Sequence, residues 1–236
     1  MNKGTLFLIP STLGGENIAE LFPPIIREIV CKTNYYIVEN QKSARKFIKL
    51  ICPEKNQSEL KIFQLDKHQK SLGIDDFMQN IKQGHNIGLL SEAGLPAIAD
   101  PGSLIVKWAH QNHIKVKPLI GPSSLMLALM SSGLNGQKFS FHGYLPKESG
   151  QLKKKIKQLE RLSSTDGSAH LFIETPYRNP KLLDFLLKTL NPDSFLCIAR
   201  DLTLPEEYIK TRRVKNWKKN LPDLYKKPTV FIFQAG

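Results

Sequence analysis

The sequence predicts an α/β protein built from two α/β domains, over residues 1–119 and 120–236, and three observations predict it. Short β-type runs alternate with amphipathic helical segments along the first half, as in a parallel or mixed sheet covered by helices on both faces. The alternation loosens in the second half, where aromatic and β-branched runs follow one another, so more antiparallel pairing is expected there. The chain's 236 residues, 41% of them hydrophobic and 23% charged, suffice for two packed cores rather than a disordered chain.

The elements follow in order. Residues 6–9 are apolar and bounded by Gly4 and Pro10, as a buried strand is. Residues 17–30 carry Ile18, Leu21, Ile25, Ile26 and Ile29 at helical spacing, with Pro23-Pro24 starting or kinking a helix. A second strand at 35–38 leads into a basic helix at 43–50 with Ser43 as its N-cap. A strand at 60–65, a helix at 73–82 and a buried strand at 86–90 come next. Asp100-Pro101-Gly102-Ser103 opens a helix through His110, and residues 116–120 give a fifth strand. Past the boundary at 118–122, Ser123 or Ser124 caps a helix at 125–130, followed by an aromatic strand at 139–144. A helix at 149–162 exposes Lys153, Lys154, Lys155, Lys157 and Arg161. Strands at 169–174, 195–199 and 229–233 and a helix at 179–190 complete the reading.

Composition narrows the function classes. Thirty-four Lys and Arg against 21 Asp and Glu give a formal charge of +13, which favours encounter with polyanions, nucleic acid above all. Cys31, Cys52 and Cys197 are too few and too scattered for a disulfide scaffold, so they read as small buried hydrophobes in a reducing cytosol. The apolar run before Pro10 is too short for a signal-peptide core, and nothing approaches the ~18 apolar residues of a membrane span, so neither secretion nor membrane insertion is expected. No Gly-x-Gly-x-x-Gly follows the first strand and no phosphate loop is present. His110 and His113 lie three apart on a predicted helix without further ligands at metal spacing, so no metal is expected.

What stands out is a set of small-residue turns at strand ends: Pro10-Ser11-Thr12-Leu13-Gly14-Gly15, Ser91-Glu92-Ala93-Gly94-Leu95-Pro96 and Gly121-Pro122-Ser123-Ser124. Each alone is an ordinary βα turn. Together they suit a ligand, because open α/β sheets bind beyond the carboxyl ends of their strands and glycine lets a ligand approach the backbone.

These residues carry a resemblance. The run Gly88-Leu89-Leu90-Ser91-Glu92-Ala93-Gly94-Leu95-Pro96-Ala97-Ile98-Ala99-Asp100-Pro101-Gly102 resembles the signature of the tetrapyrrole-methylase-like superfamily of S-adenosylmethionine-dependent methyltransferases. Within it the chain is most similar to the branch that 2′-O-methylates a cytidine ribose of small-subunit ribosomal RNA. Pro118-Leu119-Ile120-Gly121-Pro122-Ser123-Ser124, Phe141-His142-Gly143-Tyr144-Leu145-Pro146, Ile173-Glu174-Thr175-Pro176-Tyr177-Arg178 and Ala199-Arg200-Asp201-Leu202-Thr203 agree in order along the chain. The sequence departs from that branch at Glu39-Asn40-Gln41-Lys42 (usually Glu-Asp-Thr-Arg) and at Glu92 (usually Asp). It also departs at His68-Gln69-Lys70 (usually within His-Glu-His-Asn) and at Lys226-Lys227-Pro228-Thr229 (usually Lys/Arg-Gly-Glu).

The resemblance implies a cofactor cleft between the two domains, a homodimer and a cytoplasmic enzyme. Pro10, Ser91, Ala93, Gly94, Pro96, Ile98, Ala99 and Asp100 would line one wall for S-adenosyl-L-methionine. Gly121, Ser123 and Ser124 would sit at the interdomain turn, with Ile173 covering the adenosyl group. A ribose hydroxyl must lose a proton, and Glu39 and Glu174 are the carboxylates at strand ends; each could instead be structural, capping a helix or pairing with Lys. Arg178 and Arg200 are candidates for holding phosphate or else members of surface ion pairs, and Lys153 and Lys154 are candidates for an RNA footprint on a helix face that is otherwise a plain solvated stripe. Two alternatives stand beside ribosomal RNA as the partner: a tetrapyrrole or other small-molecule acceptor, and a non-catalytic RNA-binding protein that keeps the fold.

Overall fold

The computed structural model describes residues 3–65, 73–217 and 220–236. The chain divides into two compact units, Met1–Ser123 and Ser124–Gly236.

The first unit runs β1 (Thr5–Ile9), α1 (Ile18–Leu21), α2 (Pro24–Lys32), β2 (Tyr35–Val38), α3 (Gln41–Ile51), β3 (Lys61–Gln64), α4 (Ile74–Lys82), β4 (Ile87–Leu90), α5 (Ser103–Gln111) and β5 (Lys115–Pro118). Its five strands are all parallel, in the order β3-β2-β4-β1-β5. Strand side chains alternate between two apolar layers. Ile9, Tyr36, Val38 and Leu90 pack with Ile26, Phe47 and Ile48 of α2 and α3. Leu6, Ile37, Ile87 and Leu89 pack with Met78, Ile81, Ile105 and Ala109 of α4 and α5. That double cover is why β4 is buried at every position and reads as an unbroken apolar run. Gly88 is required within it: a Cβ there would lie 2.8 Å from Ile9 Cδ1 and from Tyr36 Cε1.

Three expectations are corrected in this unit. Asn40, not Ser43, caps α3, its Oδ1 accepting from Lys42 N at 2.9 Å and Ser43 N at 3.1 Å, so the helix starts earlier. Cys31 and Cys52 are not inert thiols but form a disulfide, with Cα atoms 5.7 Å apart. The ends of α2 and α3 meet because both helices pack on one sheet face, a proximity that linear spacing does not reveal. His113 lies beyond α5 in a left-handed conformation (φ 54°), so it does not share a helix face with His110. The stretch His68-Gln69-Lys70 falls outside the described residues.

The second unit runs α6 (Ser124–Ser132), β6 (Phe139–Tyr144), α7 (Ser149–Asp166), β7 (Ala169–Ile173), α8 (Asn179–Thr189), β8 (Phe195–Arg200), β9 (Tyr208–Arg213) and β10 (Thr229–Gln234). Its sheet has the order β6-β7-β10-β8-β9, with β6 and β7 parallel and every other pair antiparallel. Phe172, Phe231 and Phe233 join Ile156, Leu159 and Leu186 of α7 and α8 in its core. The buried Trp217 donates its indole N–H to Leu196 O at 3.1 Å. β9 had no counterpart in the sequence reading. It is an edge strand whose Lys210, Arg212 and Arg213 blunt its free side, and those cations mask the strand pattern. α7 also continues past residue 162 to Gly167, whose φ of 70° ends it.

Beside α7, His142 Nε2 lies 3.0 Å from His170 Nδ1. Burial, reinforced by the neighbouring His170 and by Lys155, pushes the His142 imidazole down to about 4, and burial lowers His170 as well. Both rings are therefore held neutral in the fold while the unfolded chain protonates near 6.5. This contribution to stability is complete above pH 6.5 and is lost as the pH falls toward about 4. Thermal melts between pH 7 and pH 4 should show the midpoint falling across that window. The double variant His142→Gln/His170→Gln should show a shallower fall, and an equal slope in both proteins would contradict this account.

Candidate active site

The parallel order of the first sheet places the carboxyl ends of all five strands on one edge. The chain leaves β1 toward β2 on one side and leaves β4 toward β5 on the other, although β1 and β4 are neighbours. Their loops diverge at this point, which makes it the topological switch of the sheet. The gap is bridged by backbone: Ser11 N donates to Gly94 O at 2.9 Å and Gly94 N to Ser11 O at 3.2 Å. The Ser11 hydroxyl adds a bond to Ser91 O at 2.9 Å. Gly94 is buried with φ 71°, a conformation glycine adopts without penalty.

The loop continues through two further left-handed residues, Ala97 (φ 67°) and Ala99 (φ 63°), each at some cost in strain. Asp100 holds it there. Its two carboxylate oxygens accept from Ala97 N at 2.9 and 3.0 Å, and Oδ1 also accepts from Gly102 N at 2.7 Å. Asp100 thus shapes the loop from within, while Ala93, Ile98 and Ala99 present exposed methyl groups outward. Pro10 is buried and packs on Gly121, where a Cβ would lie 2.3 Å from Pro10 Cβ. Pro10, Ser91, Ala93, Gly94, Pro96, Ile98, Ala99, Asp100 and Gly121 therefore all belong to the carboxyl-edge loops of the first unit. Ser123 ends that unit, whereas Ser124 opens α6 in the second, where Ile173 ends β7.

Glu39 follows β2 and joins this edge, its Oε1 accepting from Glu92 N at 3.2 Å. Next to it, a solvent-open recess of about 130 Å³ is lined by Ser11, Thr12, Gly14, Gly15, Ser43, Ala44, Lys46, Phe47, Ser91 and Glu92 among others. Lys46 and Glu16 form an ion pair of 2.9 Å at its border. Ser43, Ala44 and Lys46 were not among the candidate site residues read from sequence; their signal was the short basic helix following a strand end.

In the second unit, Glu174 is buried and its carboxylate is engaged: Oε1 accepts from Thr175 N at 2.7 Å and Oε2 lies 3.2 Å from the Arg178 guanidinium. Arg200 is mostly buried, donating to Asp223 O at 2.7 Å and lying over the Tyr208 ring. Both arginines thus have intramolecular partners at the carboxyl ends of β7 and β8. Lys153 and Lys154 lie exposed on α7.

No family model matches the chain. Among curated proteins it is 28% identical over 240 residues to ribosomal RNA small subunit methyltransferase I of Buchnera aphidicola (subspecies Schizaphis graminum), covering all of this chain and 80% of that one. It is 29% identical to the protein of the same name from Vibrio cholerae over 87% of this chain and 67% of that one. With the Haemophilus influenzae protein of that name it shares 31% identity over 73% of this chain and 61% of the relative. The solved structure of the methyltransferase CobJ superposes with a TM-score of 0.62 at 17% identity, covering 99% of this chain and 95% of that one. Uroporphyrin-III-C-methyltransferase from Thermus thermophilus gives a TM-score of 0.55 at 14% identity, covering 98% and 92% of the two chains. The fold of the chain is that of these two solved methyltransferases. The chain is a methyltransferase, and its first-unit loops occupy the edge at which an open α/β sheet takes its ligand.

In this methyltransferase, Asp100→Ala should leave Ala97 N and Gly102 N without their acceptor. A loss of about 1–2 kcal/mol is expected by denaturant titration, together with faster amide exchange across residues 97–102. Unchanged protection of that loop would contradict the role given to Asp100.

Proposed function

We propose that this methyltransferase uses S-adenosylmethionine to methylate a ribose 2′-hydroxyl in small-subunit ribosomal RNA. The observation that carries the reading is the match, over the full length of the chain, to a protein named ribosomal RNA small subunit methyltransferase I. The formal charge of +13 supports a polyanionic substrate. A cytoplasmic homodimer completes the proposal, in keeping with the family resemblance; among the described residues no helix is long and apolar enough to cross a membrane.

The first-unit loops fit such a cofactor. Ala93, Ile98 and Ala99 lie exposed on their outer face beside the exposed Glu92, while Gly94 is buried with its N–H and C=O engaged by Ser11, so an adenosyl group would meet mainly apolar side chains there. We assign Pro10, Ser91, Ala93, Gly94, Pro96, Ile98, Ala99, Gly121 and Ser123 to holding it, with Asp100 fixing their conformation. Bound there, the cofactor supplies an electrophilic methyl group. What remains for the protein is to orient the ribose hydroxyl in line, exclude water and accept a proton.

For the proton we assign Glu39. Its half-exposed carboxylate stands at the end of β2 beside the recess, and Oε1 accepts from the Glu92 backbone N–H. Glu174 is assigned a positioning role: it holds Arg178 in place, and Arg178, Arg200, Lys153 and Lys154 draw in the RNA backbone.

The test supplies tritium-labelled cofactor and small ribosomal subunits from a strain lacking the gene, then maps the labelled nucleotide. Label at a single ribose 2′-oxygen is expected, with Glu39→Gln lowering kcat by about 10²–10⁴. Glu174→Gln should mainly raise KM for RNA. Label confined to tetrapyrroles or other small molecules, or no transfer at all, would overturn the reading.

A further inference from the structure

Two tyrosines that none of these roles uses stand in the open at one end of the second sheet. Tyr177, just past β7, is 66% exposed and Tyr225, in the turn before β10, is 53% exposed. Their rings meet edge to face with centroids 5.9 Å apart and planes at 78°. Lys226 Nζ lies 5.3 Å from the Tyr225 centroid and 5.9 Å from that of Tyr177. We propose that Tyr177, Tyr225 and Lys226 form a stacking platform for unpaired bases of single-stranded RNA. The inference rests on the RNA-methyltransferase reading and says where that RNA is gripped.

The turn that carries the platform is built to hold still. Asp223 Oδ1 accepts from Tyr225 N at 2.9 Å, Lys227 N donates to Leu224 O at 3.2 Å, and Leu224 is buried as its anchor. Lys226 N donates across to Pro176 O at 3.2 Å, so the two tyrosine-bearing segments are joined by main chain. Lys226 itself is left-handed (φ 59°), a conformation costly for a residue with a side chain. Two large rings are thus kept in water, pre-ordered and at right angles, with an ammonium group over both.

Chemistry selects the occupant. Aromatic faces flanked by cations suit stacked bases with phosphates alongside, and stacking tolerates any base. Rings set at 78° cannot both lie flat on one continuous stack, so they fit successive bases that are splayed apart, as in an RNA loop or single strand. A base pair inside a duplex exposes neither face. The basic charge of the whole chain favours a polyphosphate over an apolar or acidic-poor peptide.

Fluorescence anisotropy with a labelled single-stranded oligoribonucleotide of about 12 nucleotides, and with its duplex, tests this. Wild type should prefer the single strand, and Tyr177→Ala/Tyr225→Ala should weaken binding by about tenfold or more. Tyr177→Phe/Tyr225→Phe should bind like wild type because stacking needs only the ring, and Lys226→Gln should weaken binding and flatten its salt dependence. All variants should melt like wild type and bind S-adenosylhomocysteine equally in calorimetry. If wild type binds no RNA, the functional reading itself fails. If wild type binds but the alanine pair binds equally well, or the phenylalanine pair is as impaired as the alanine pair, the platform is overturned while that reading stands.

Discussion

The reciprocal backbone bonds between Ser11 and Gly94 are the constraint on which the first unit's loop edge depends. Adjacent strands whose crossovers run to opposite sides open a crevice between them. Left unbridged, the loops after β1 and β4 would be free to fray apart. The bridge fixes their separation, and its neighbours are chosen to permit it. Gly94 supplies the positive φ, the Ser11 hydroxyl ties down Ser91 O, and the bare Gly121 lets Pro10 close in. The left-handed strain at Ala97 and Ala99 is held by one carboxylate, Asp100, and the loop can then present methyl groups and backbone rather than bulky side chains. A surface of that kind is selective through shape and main-chain donors, which accounts for its small-residue sequence.

Much of this was legible in the sequence because the governing signals are local. Buried parallel strands appear as unbroken apolar runs, and βα turns appear as glycine, proline and serine clusters, so β4 and its loop could be located within a residue or two. What escaped depended on partners distant in the chain. The Cys31–Cys52 disulfide arises because two helices share a sheet face. β9 reads as a charged loop until β8 is seen to lack an outer neighbour without it. Ser43 and Asn40 both look like helix caps, and only the hydrogen bonds to Lys42 N and Ser43 N decide for Asn40. Glu174 as a base or a structural carboxylate, and Arg178 as a phosphate ligand or an ion-pair member, were read separately, whereas their four-residue spacing across a strand–helix junction pairs them with each other.

The second unit shows why a charge total is a weak guide to a binding surface. Several of its cations already have acidic or aromatic partners: Lys227 lies 3.2 Å from the buried Asp201, Lys215 lies 2.6 Å from Asp193, and Arg213 stacks on Phe195. Such pairs hold strand ends together and cancel part of the field they would otherwise project. A nucleic-acid surface is better sought where a cation coincides with something a structural ion pair does not need. Exposed aromatic faces on a braced turn meet that requirement, whereas a lysine on a solvated helix face such as α7 adds charge to the field but no face on which a base can stack.

The departures from the family pattern can be weighed in the same physical terms. Where that pattern has an Asp after its strand-end Glu, Asn40 caps α3, a task for which Asn and Asp are nearly equivalent. Where the pattern has another Asp, Glu92 contributes its main-chain N–H to Glu39, a contact indifferent to the length of its own side chain. Both changes preserve the arrangement of the first unit's loops. The change at Lys226-Lys227-Pro228-Thr229 is of another kind. Lys226 stands where the pattern already has Lys or Arg, and its left-handed backbone places the ammonium over two exposed rings. The departure itself falls on Lys227 and Pro228, where the pattern has Gly and Glu, and Lys227 lies 3.2 Å from the buried Asp201, a partner that glycine could not reach. That ion pair ties the turn before β10 to the residue after β8, so the change there is accounted for by the fold of the second unit and leaves the first unit's loop edge untouched.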